Sequence, residues 1–148
     1  MSWHRHKGIL TAAAAGTLGA LAVAVPVAAF AGGTSPRGAP AVVSPGLLIL
    51  CFSMIGNFYE ELLFRGFLQG SLENLPGVTL TRAALTSGVA FAFAHVSLAT
   101  ATTDAGWVLL AFCLWEGMIA AFLHAQFGLI SSVVAHGGAI FLVAGGAV

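Results

Sequence analysis

The chain has 148 residues, of which 59% are hydrophobic and 7% are charged. A soluble domain carries about 25% charged residues, so this composition excludes an ordinary water-soluble globular protein, a disordered tail and a disulfide scaffold. Its 5 basic and 5 acidic residues leave no net charge and form no basic patch that would bind nucleic acid. Cys51 and Cys113 both lie in apolar runs and are interpreted as small hydrophobic residues. The composition therefore predicts a polytopic membrane protein.

Five membrane-spanning helices are predicted in chain order. A bilayer core of roughly 30 Å is crossed by about 20 apolar residues in a helix, and we place the helices at roughly 8–30, 46–72, 79–98, 106–124 and 128–146. A Gly/Pro-rich connection at 32–40 separates the first two helices. The sequence Asn-Leu-Pro-Gly at 74–77 predicts a turn, and Asp104 is the expected N-cap of the fourth helix. The predicted fold class is all-α, a polytopic transmembrane helical bundle.

The first helix allows two interpretations. Basic residues at 4–7 precede an apolar run that ends in Ala-Phe-Ala at 29–31, a pattern that a signal peptidase can cut. The run is also long enough to span a bilayer, which favours a retained helix; if it is removed, four helices remain. In both cases we expect the basic N-terminus to stay on the cytoplasmic side. We divide the chain into this helix and its connection, 1–45, and a core, 46–148.

Ionisable residues inside the spans are expected to have a structural or functional role, because placing a charge at the bilayer centre costs at least ~2.5–3.5 kcal/mol. Four ionisable residues fall at predicted helix ends, where we expect them to reach headgroups or water: Glu73, Arg82, Asp104 and His124. The deeper ones are Glu60, Glu61, Arg65, His95 and His136, with Glu116 as a sixth that the sequence does not place.

Helix geometry groups three of the deeper residues. Glu60 lies 16 residues before Pro76 and His95 lies 18 residues after Gly77, so both are some 24–27 Å from that turn along antiparallel helices. His136 is about 9 residues beyond the next turn, or roughly 14 Å deep, and is expected to be shallower. One carboxylate and two imidazoles meet if these helix faces point inward.

Small residues on two helices permit that packing. Gly88 and Ala92 lie four apart on the third helix, and Gly137 and Gly138 follow His136 on the last helix. Such residues let helix backbones approach closely. We therefore expect the third and last helices to pack tightly against their neighbours.

The second helix carries two adjacent acids with different expected roles. Glu61 and Arg65 are spaced i, i+4 in the favourable order, which predicts an internal ion pair. Glu60 points about 100° away and gains no partner from that pair. An unpaired carboxylate at depth suits a general acid or base, and a nearby histidine would keep it ionised and share a water with it.

Three motifs resemble those of one known family. Residues 60–65, EELLFR, resemble its E-E-x-x-x-R motif, and residues 91–95, FAFAH, resemble its F-x-x-x-H motif. His136 on the final helix resembles the histidine of its third motif, H-x-x-x-N or H-x-x-x-D. In this order on separate apolar helices, from about Gly46 to the C-terminus, the motifs resemble the CPBP family (CAAX proteases and bacteriocin-processing enzymes), also called the Abi family.

The resemblance implies an intramembrane glutamic endopeptidase, a multi-pass hydrolase of the cell membrane. It implies that Glu60 and His95 hold and activate the attacking water, that His136 stabilises the oxyanion, and that Glu61 and Arg65 orient the first motif. It implies no cofactor. The same residue types are able to bind Zn²⁺ as a Glu/His/His set, so a zinc-dependent protease is an alternative. The expected partners are the lipid bilayer and a membrane-associated peptide or protein, either a prenylated CAAX terminus or a leader peptide.

One position departs from the family pattern. Ile140 stands where the third motif has Asn or Asp, four residues after His136. One oxyanion donor is therefore missing, and Asn57, Ser131 and Ser132 are the candidate substitutes. A weak or inactive member is consistent with this change. The alternative function is a non-catalytic immunity or scaffold protein with the same fold.

Overall fold

A computed structural model describes residues 7–31, 46–97 and 106–144 of the chain. Within these ranges the elements are all helical: α1 (Ile9–Ala31), α2 (Gly46–Glu61), a π-helix (Leu62–Gln69), α3 (Gly70–Glu73), α4 (Leu80–Ala94), α5 (Gly106–Phe127) and α6 (Leu129–Ala144). The π-helix joins α2 and α3 without a break, so the described residues form five rods. The predicted all-α bundle is confirmed. The Gly/Pro-rich connection and Asp104 lie outside the described residues.

The predicted helix ends hold at the turn between the second and third rods. Asn74 is the C-cap of α3, and its backbone N–H donates to the Ser71 carbonyl oxygen at 3.2 Å. Gly77 adopts a φ of +78°, and the Thr79 side chain accepts a hydrogen bond from the Arg82 backbone N–H at 3.2 Å. A serine or threonine N-cap satisfies one of the free N–H groups of a first helical turn. At its other end α4 stops at Ala94, four residues earlier than predicted, so that His95 is its C-cap.

The exterior of the bundle is apolar. Among the described helices, two are long and apolar enough to cross a membrane, Ile9–Phe30 and Gly106–Phe127, and two shorter ones, Leu80–Ala94 and Leu129–Val143, are also apolar. Large side chains project outward from different rods, for example Leu10 (82% exposed), Phe52 (76%) and Trp107 (77%). A surface of this kind is unfavourable in water and is the expected exterior in lipid.

Small residues bring the rods into contact. On α1, a Cβ added at Gly16 would lie 2.6 Å from the Ser131 carbonyl oxygen of α6. Between α4 and α5, a Cβ added at Gly117 would lie 3.0 Å from the Gly88 carbonyl oxygen. At Gly137 the added atom would lie 2.8 Å from a methionine sulfur of α2. The expected close packing at Gly88 and Gly137 is confirmed, and α1 packs into the bundle in the same way.

Candidate active site

The π-helix presents polar side chains to α5. Arg65 and Gln69, four residues apart, are fully buried. Arg65 Nη2 donates to the Gly117 carbonyl oxygen at 2.9 Å, and Gln69 Nε2 donates to the Ala121 carbonyl oxygen at 3.0 Å. These carbonyl groups are one turn apart on α5, where glycine and alanine leave room for the long side chains. The two hydrogen bonds fix the rotation of the second rod, and π-helical turns are frequent at functional sites.

Glu61 lies at the centre of a buried polar network. Its Oε1 is 2.8 Å from Arg65 Nη1 and 2.9 Å from His136 Nδ1, and the side chains of Glu61 and Arg65 are 0% exposed. The guanidinium carbon of Arg65 lies 4.5 Å from the ring centre of Phe91, a cation–π contact. The ion pair predicted from the i, i+4 spacing is present, and it also orients the His136 ring.

Glu60 faces a different partner. Its Oε2 lies 3.6 Å from His95 Nε2, while His95 Nδ1 is 2.9 Å from the Phe91 carbonyl oxygen. A carbonyl oxygen only accepts hydrogen bonds, so Nδ1 carries the hydrogen, and Nε2 of the neutral ring presents its lone pair to Glu60. Glu60 Oε2 is buried and accepts no hydrogen bond. The separation is too long for a direct hydrogen bond, and a water in contact with both atoms would lie beside them in the cavity that both residues line.

The free edge of His136 approaches a third carboxylate. His136 Nε2 lies 3.8 Å from Glu116 Oε2, and Glu116 is 12% exposed. Its other oxygen, Oε1, is buried and has no hydrogen-bond partner. Glu116 is thus a part of this cluster, although the sequence did not place it.

These side chains share one cavity of about 300 Å³. Its polar lining consists of Asn57, Glu60, His95, Glu116 and His136. The walls are otherwise apolar, apart from the thiol of Cys113, and come from α1, α5 and α6: Val23, Val27, Leu109, Phe112, Cys113, Ala139, Ile140 and Val143. A concave apolar site with a few convergent polar groups is the usual form of a ligand or active site.

The structure brings together the residues that helix depth had grouped. Glu60, His95 and His136 line the same cavity, although His136 was expected to be shallower. Glu61 and Arg65 are not among its lining residues and lie buried behind it. The cavity therefore separates residues that can touch a bound molecule from residues that can only position them.

One expectation for the helix ends is wrong. His124 was expected to reach headgroups or water, yet it is 2% exposed. The reason is that α5 continues to Phe127, after which Gly128, with a φ of +88°, folds α6 back against the end of α5. Gln69 was missed altogether, although it continues the four-residue spacing of Glu61 and Arg65.

The three candidate substitutes for a donor at position 140 all donate hydrogen bonds to backbone carbonyl groups. Asn57 lines the cavity, but its Nδ2 donates to the Ser53 carbonyl oxygen at 2.6 Å. Ser131 and Ser132 donate to nearby backbone carbonyls, at 2.6 Å and 3.0 Å for their closest partners. Within the part of the chain that the structure describes, no group of three or more His, Cys, Asp or Glu residues is arranged to hold a metal ion.

A helical membrane bundle with a buried carboxylate–histidine cavity defines the class of this protein. Residues 42–142 match the model of the type II CAAX prenyl endopeptidase Rce1-like family. The chain belongs to that family, which is part of the CPBP group that its motifs resemble. No curated protein and no solved structure gives a match. The family is one of membrane-embedded CAAX-type proteases, and membership supports that class of protein for this chain. Helix α1 precedes the matched region.

Proposed function

We propose that this protein is an intramembrane endopeptidase that hydrolyses a peptide bond with a water activated by Glu60 and His95. The observation that carries the proposal is the 3.6 Å gap between Glu60 Oε2 and His95 Nε2 at the cavity. Both atoms are hydrogen-bond acceptors, so a water in contact with both donates one hydrogen to each. Its oxygen lone pair is then directed away from both and into the cavity, toward a carbonyl carbon.

The proton balance of hydrolysis fits this pair. As the water oxygen attacks the carbonyl carbon, its proton passes to Glu60 or His95, and the same group later protonates the leaving amine nitrogen. Side chains from two rods supply the pair, so their separation depends on the packing of the π-helix of the second rod against α4. The buried Glu61–Arg65 pair holds the second rod in that position and orients His136, whose Nε2 faces the developing oxyanion.

The family and the setting of the site support a membrane-associated substrate. The cavity lies within an apolar bundle and its walls are mainly apolar, so a peptide must reach it from the bilayer or its surface. A prenylated CAAX terminus or a leader peptide provides an apolar anchor next to the scissile bond. We propose a multi-pass arrangement in the cell membrane, with α1 retained and 46–148 as the protease core.

The test is cleavage by the detergent-purified full chain. Two fluorogenic substrates, a farnesylated CAAX peptide and a membrane-anchored leader peptide, are incubated with wild type, Glu60→Gln and His95→Ala, each with and without a chelator. Removing a general base lowers rates by about 10²–10⁴, so we expect both variants to lose cleavage and the chelator to have no effect. Glu73→Gln is the matched control, because Glu73 accepts a hydrogen bond from Gln69 at 3.1 Å outside the cavity.

The other outcomes lead to different conclusions. Loss of cleavage on chelation points to the zinc-dependent alternative. Folded wild type that cleaves neither substrate points to the non-catalytic immunity or scaffold protein, an alternative favoured by the apolar Ile140 in the cavity wall. Cleavage that survives Glu60→Gln refutes the proposed water activation.

A further inference from the structure

The hydrogen bonds of His136 raise a problem for its role at an oxyanion. Glu61 is paired with Arg65 at 2.8 Å and is an ionised acceptor, so His136 Nδ1, 2.9 Å from the same oxygen, carries a hydrogen. In a neutral imidazole only one nitrogen carries hydrogen. Nε2 would then direct a lone pair toward the cavity, which repels a developing negative charge. Stabilisation of an oxyanion therefore needs one further proton at this edge of the ring.

Glu116 is placed either to carry that proton or to stabilise it on His136 by its negative charge. Its Oε2 lies 3.8 Å from His136 Nε2, and its Oε1 is buried without a hydrogen-bond partner. Both residues line the cavity. Among the other cavity residues, Glu60 and His95 form the water-binding pair, the Asn57 amide donates one of its two hydrogens to a backbone carbonyl, and Ile140 has no polar atom. The gap between Oε2 and Nε2 is wide enough that a substrate oxygen can approach both.

The charges around the cavity also favour a proton at this place. Glu60, Glu61 and Glu116 are three carboxylates, and Arg65 is the one residue among their partners that is always charged. Uncompensated charges in an apolar interior are expensive. Glu60 and His95 act as acceptors for the attacking water, so a proton carried by Glu116 and His136 would remove one of the two negative charges that Arg65 leaves uncompensated.

We propose that Glu116 is a further catalytic residue: Glu116 and His136, 3.8 Å apart, carry one proton that is distributed over the two side chains, and the side chain that holds it donates a hydrogen bond to the carbonyl oxygen of the scissile bond. This inference rests on the proposed peptidase function. The proton is donated as a hydrogen bond and is not transferred, so the carbonyl oxygen gains charge as the water attacks and returns to a carbonyl when the amine leaves. The hydrogen bond strengthens as that charge develops, which lowers the barrier.

The test compares substitutions that keep or remove a donor. Loss of one oxyanion donor costs about 10²–10³ in kcat, and a group acting in the transition state affects kcat more than KM. We expect kcat of Glu116→Met to fall by about 10²–10³ at nearly unchanged KM. For Glu116→Gln, whose amide still donates, we expect a decrease in kcat that is about tenfold smaller. Ile140 lies one helical turn after His136 in the cavity wall, so adding Ile140→Asn to Glu116→Met should restore a donor and recover about tenfold in kcat.

Three kinetic results would overturn the inference: wild-type kcat in Glu116→Met, equal losses in Glu116→Gln and Glu116→Met, or no recovery in the folded double variant. Elution as a single species and a wild-type unfolding temperature establish folding. If Glu116→Met does not fold, Glu116→Asn replaces it, because its amide is one methylene further from His136. Wild type and Glu60→Gln are measured beside these variants, so that a failure of the proposed function is seen separately.

A second measurement reads the proton without activity. In protein labelled with ¹⁵N-histidine, the signals of His136 are assigned by their loss in His136→Gln. We expect the Nε2 signal of wild type to show a bound or shared hydrogen, and that of Glu116→Met to show a bare lone pair. A bare Nε2 in wild type would overturn the inference whether or not any peptide is cleaved.

Discussion

Replacing Arg65 by methionine should destabilise the bundle more than any exposed substitution. Arg65 and its partner Glu61 are both 0% exposed, 2.8 Å apart. The methionine side chain fills much of the space but leaves the Glu61 carboxylate buried without its cation. It also removes the donor to the Gly117 carbonyl oxygen, a hydrogen bond of 2.9 Å. Breaking a buried pair from one side costs about 3–5 kcal/mol, so we expect the free energy of unfolding to fall by that amount.

A double variant tests whether the uncompensated charge is the cause. Glu61→Gln with Arg65→Met removes both charges, and the glutamine oxygen still accepts from His136 Nδ1. Residues in one ion-pair network couple by roughly 0.5–3 kcal/mol. We therefore expect the double variant to recover about 2 kcal/mol of the loss caused by Arg65→Met.

Reversible unfolding in mixed detergent micelles, followed by tryptophan fluorescence, measures these free energies. Arg82→Met is the matched control, because Arg82 is exposed in the first turn of α4, and we expect it to stay within about 0.5 kcal/mol of wild type. The reasoning is refuted if Arg65→Met behaves like this control, or if the double variant is no more stable than Arg65→Met alone.

Two further substitutions test the packing of the rods in the same assay. Gly19→Leu should lower the free energy of unfolding by about 1–3 kcal/mol through overpacking, because a Cβ at Gly19 of α1 would lie 2.5 Å from Leu123 Cδ1. Gly56→Leu is the control and should change it little, because nothing lies within 4 Å of a Cβ added there. Equal effects would mean that α1 does not dock on the bundle. Ser87→Ala should lower the free energy of unfolding by about 1–3 kcal/mol, because the buried Ser87 hydroxyl donates to the Phe64 carbonyl oxygen at 2.9 Å. An unchanged free energy of unfolding would mean that the Phe64 carbonyl oxygen accepts from another donor in the variant.

Periodicity and depth were sufficient to predict much of the fold and part of the site. The apolar runs predicted the five rods, since a bilayer fixes the length of a spanning helix. The spacing of Glu61 and Arg65 predicted their ion pair, because side chains four apart are neighbours on a helix. Counting residues from the turn at 74–77 predicted that Glu60 and His95 would meet, and they lie 3.6 Å apart.

The features that escaped prediction depend on contacts between rods. A helical period of 3.6 residues cannot reveal the π-helix, whose wider turns are stabilised by contacts such as the Gln69 hydrogen bond to α5. Glu116 is a lone acid on its own helix, so only the position of His136 on α6 shows what it faces. His124 was assigned to a helix end that proved to be covered by the following helix.

Helix α1 contributes to the cavity although it precedes the family match. Val23 and Val27 line the cavity, and Trp115 Nε1 on α5 donates to the Ala22 carbonyl oxygen at 3.2 Å. A cleaved signal peptide has no need to pack against the mature protein. These contacts support the proposal that α1 is retained, in which case it forms one wall of the cavity.

The two adjacent acids explain how one helix serves both architecture and chemistry. Consecutive residues point about 100° apart on a helix, so Glu61 faces the buried interior while Glu60, 40% exposed, faces the cavity. Glu61 Oε1 contacts both Arg65 and His136, and Glu61 is fully buried outside the lining of the cavity. Glu60 has an unsatisfied oxygen and a histidine just beyond hydrogen-bond distance. Glutamate therefore has different roles at two consecutive positions. Glu61 stabilises the bundle through its buried partners, whereas Glu60 faces the cavity and is suited to bind the reacting water.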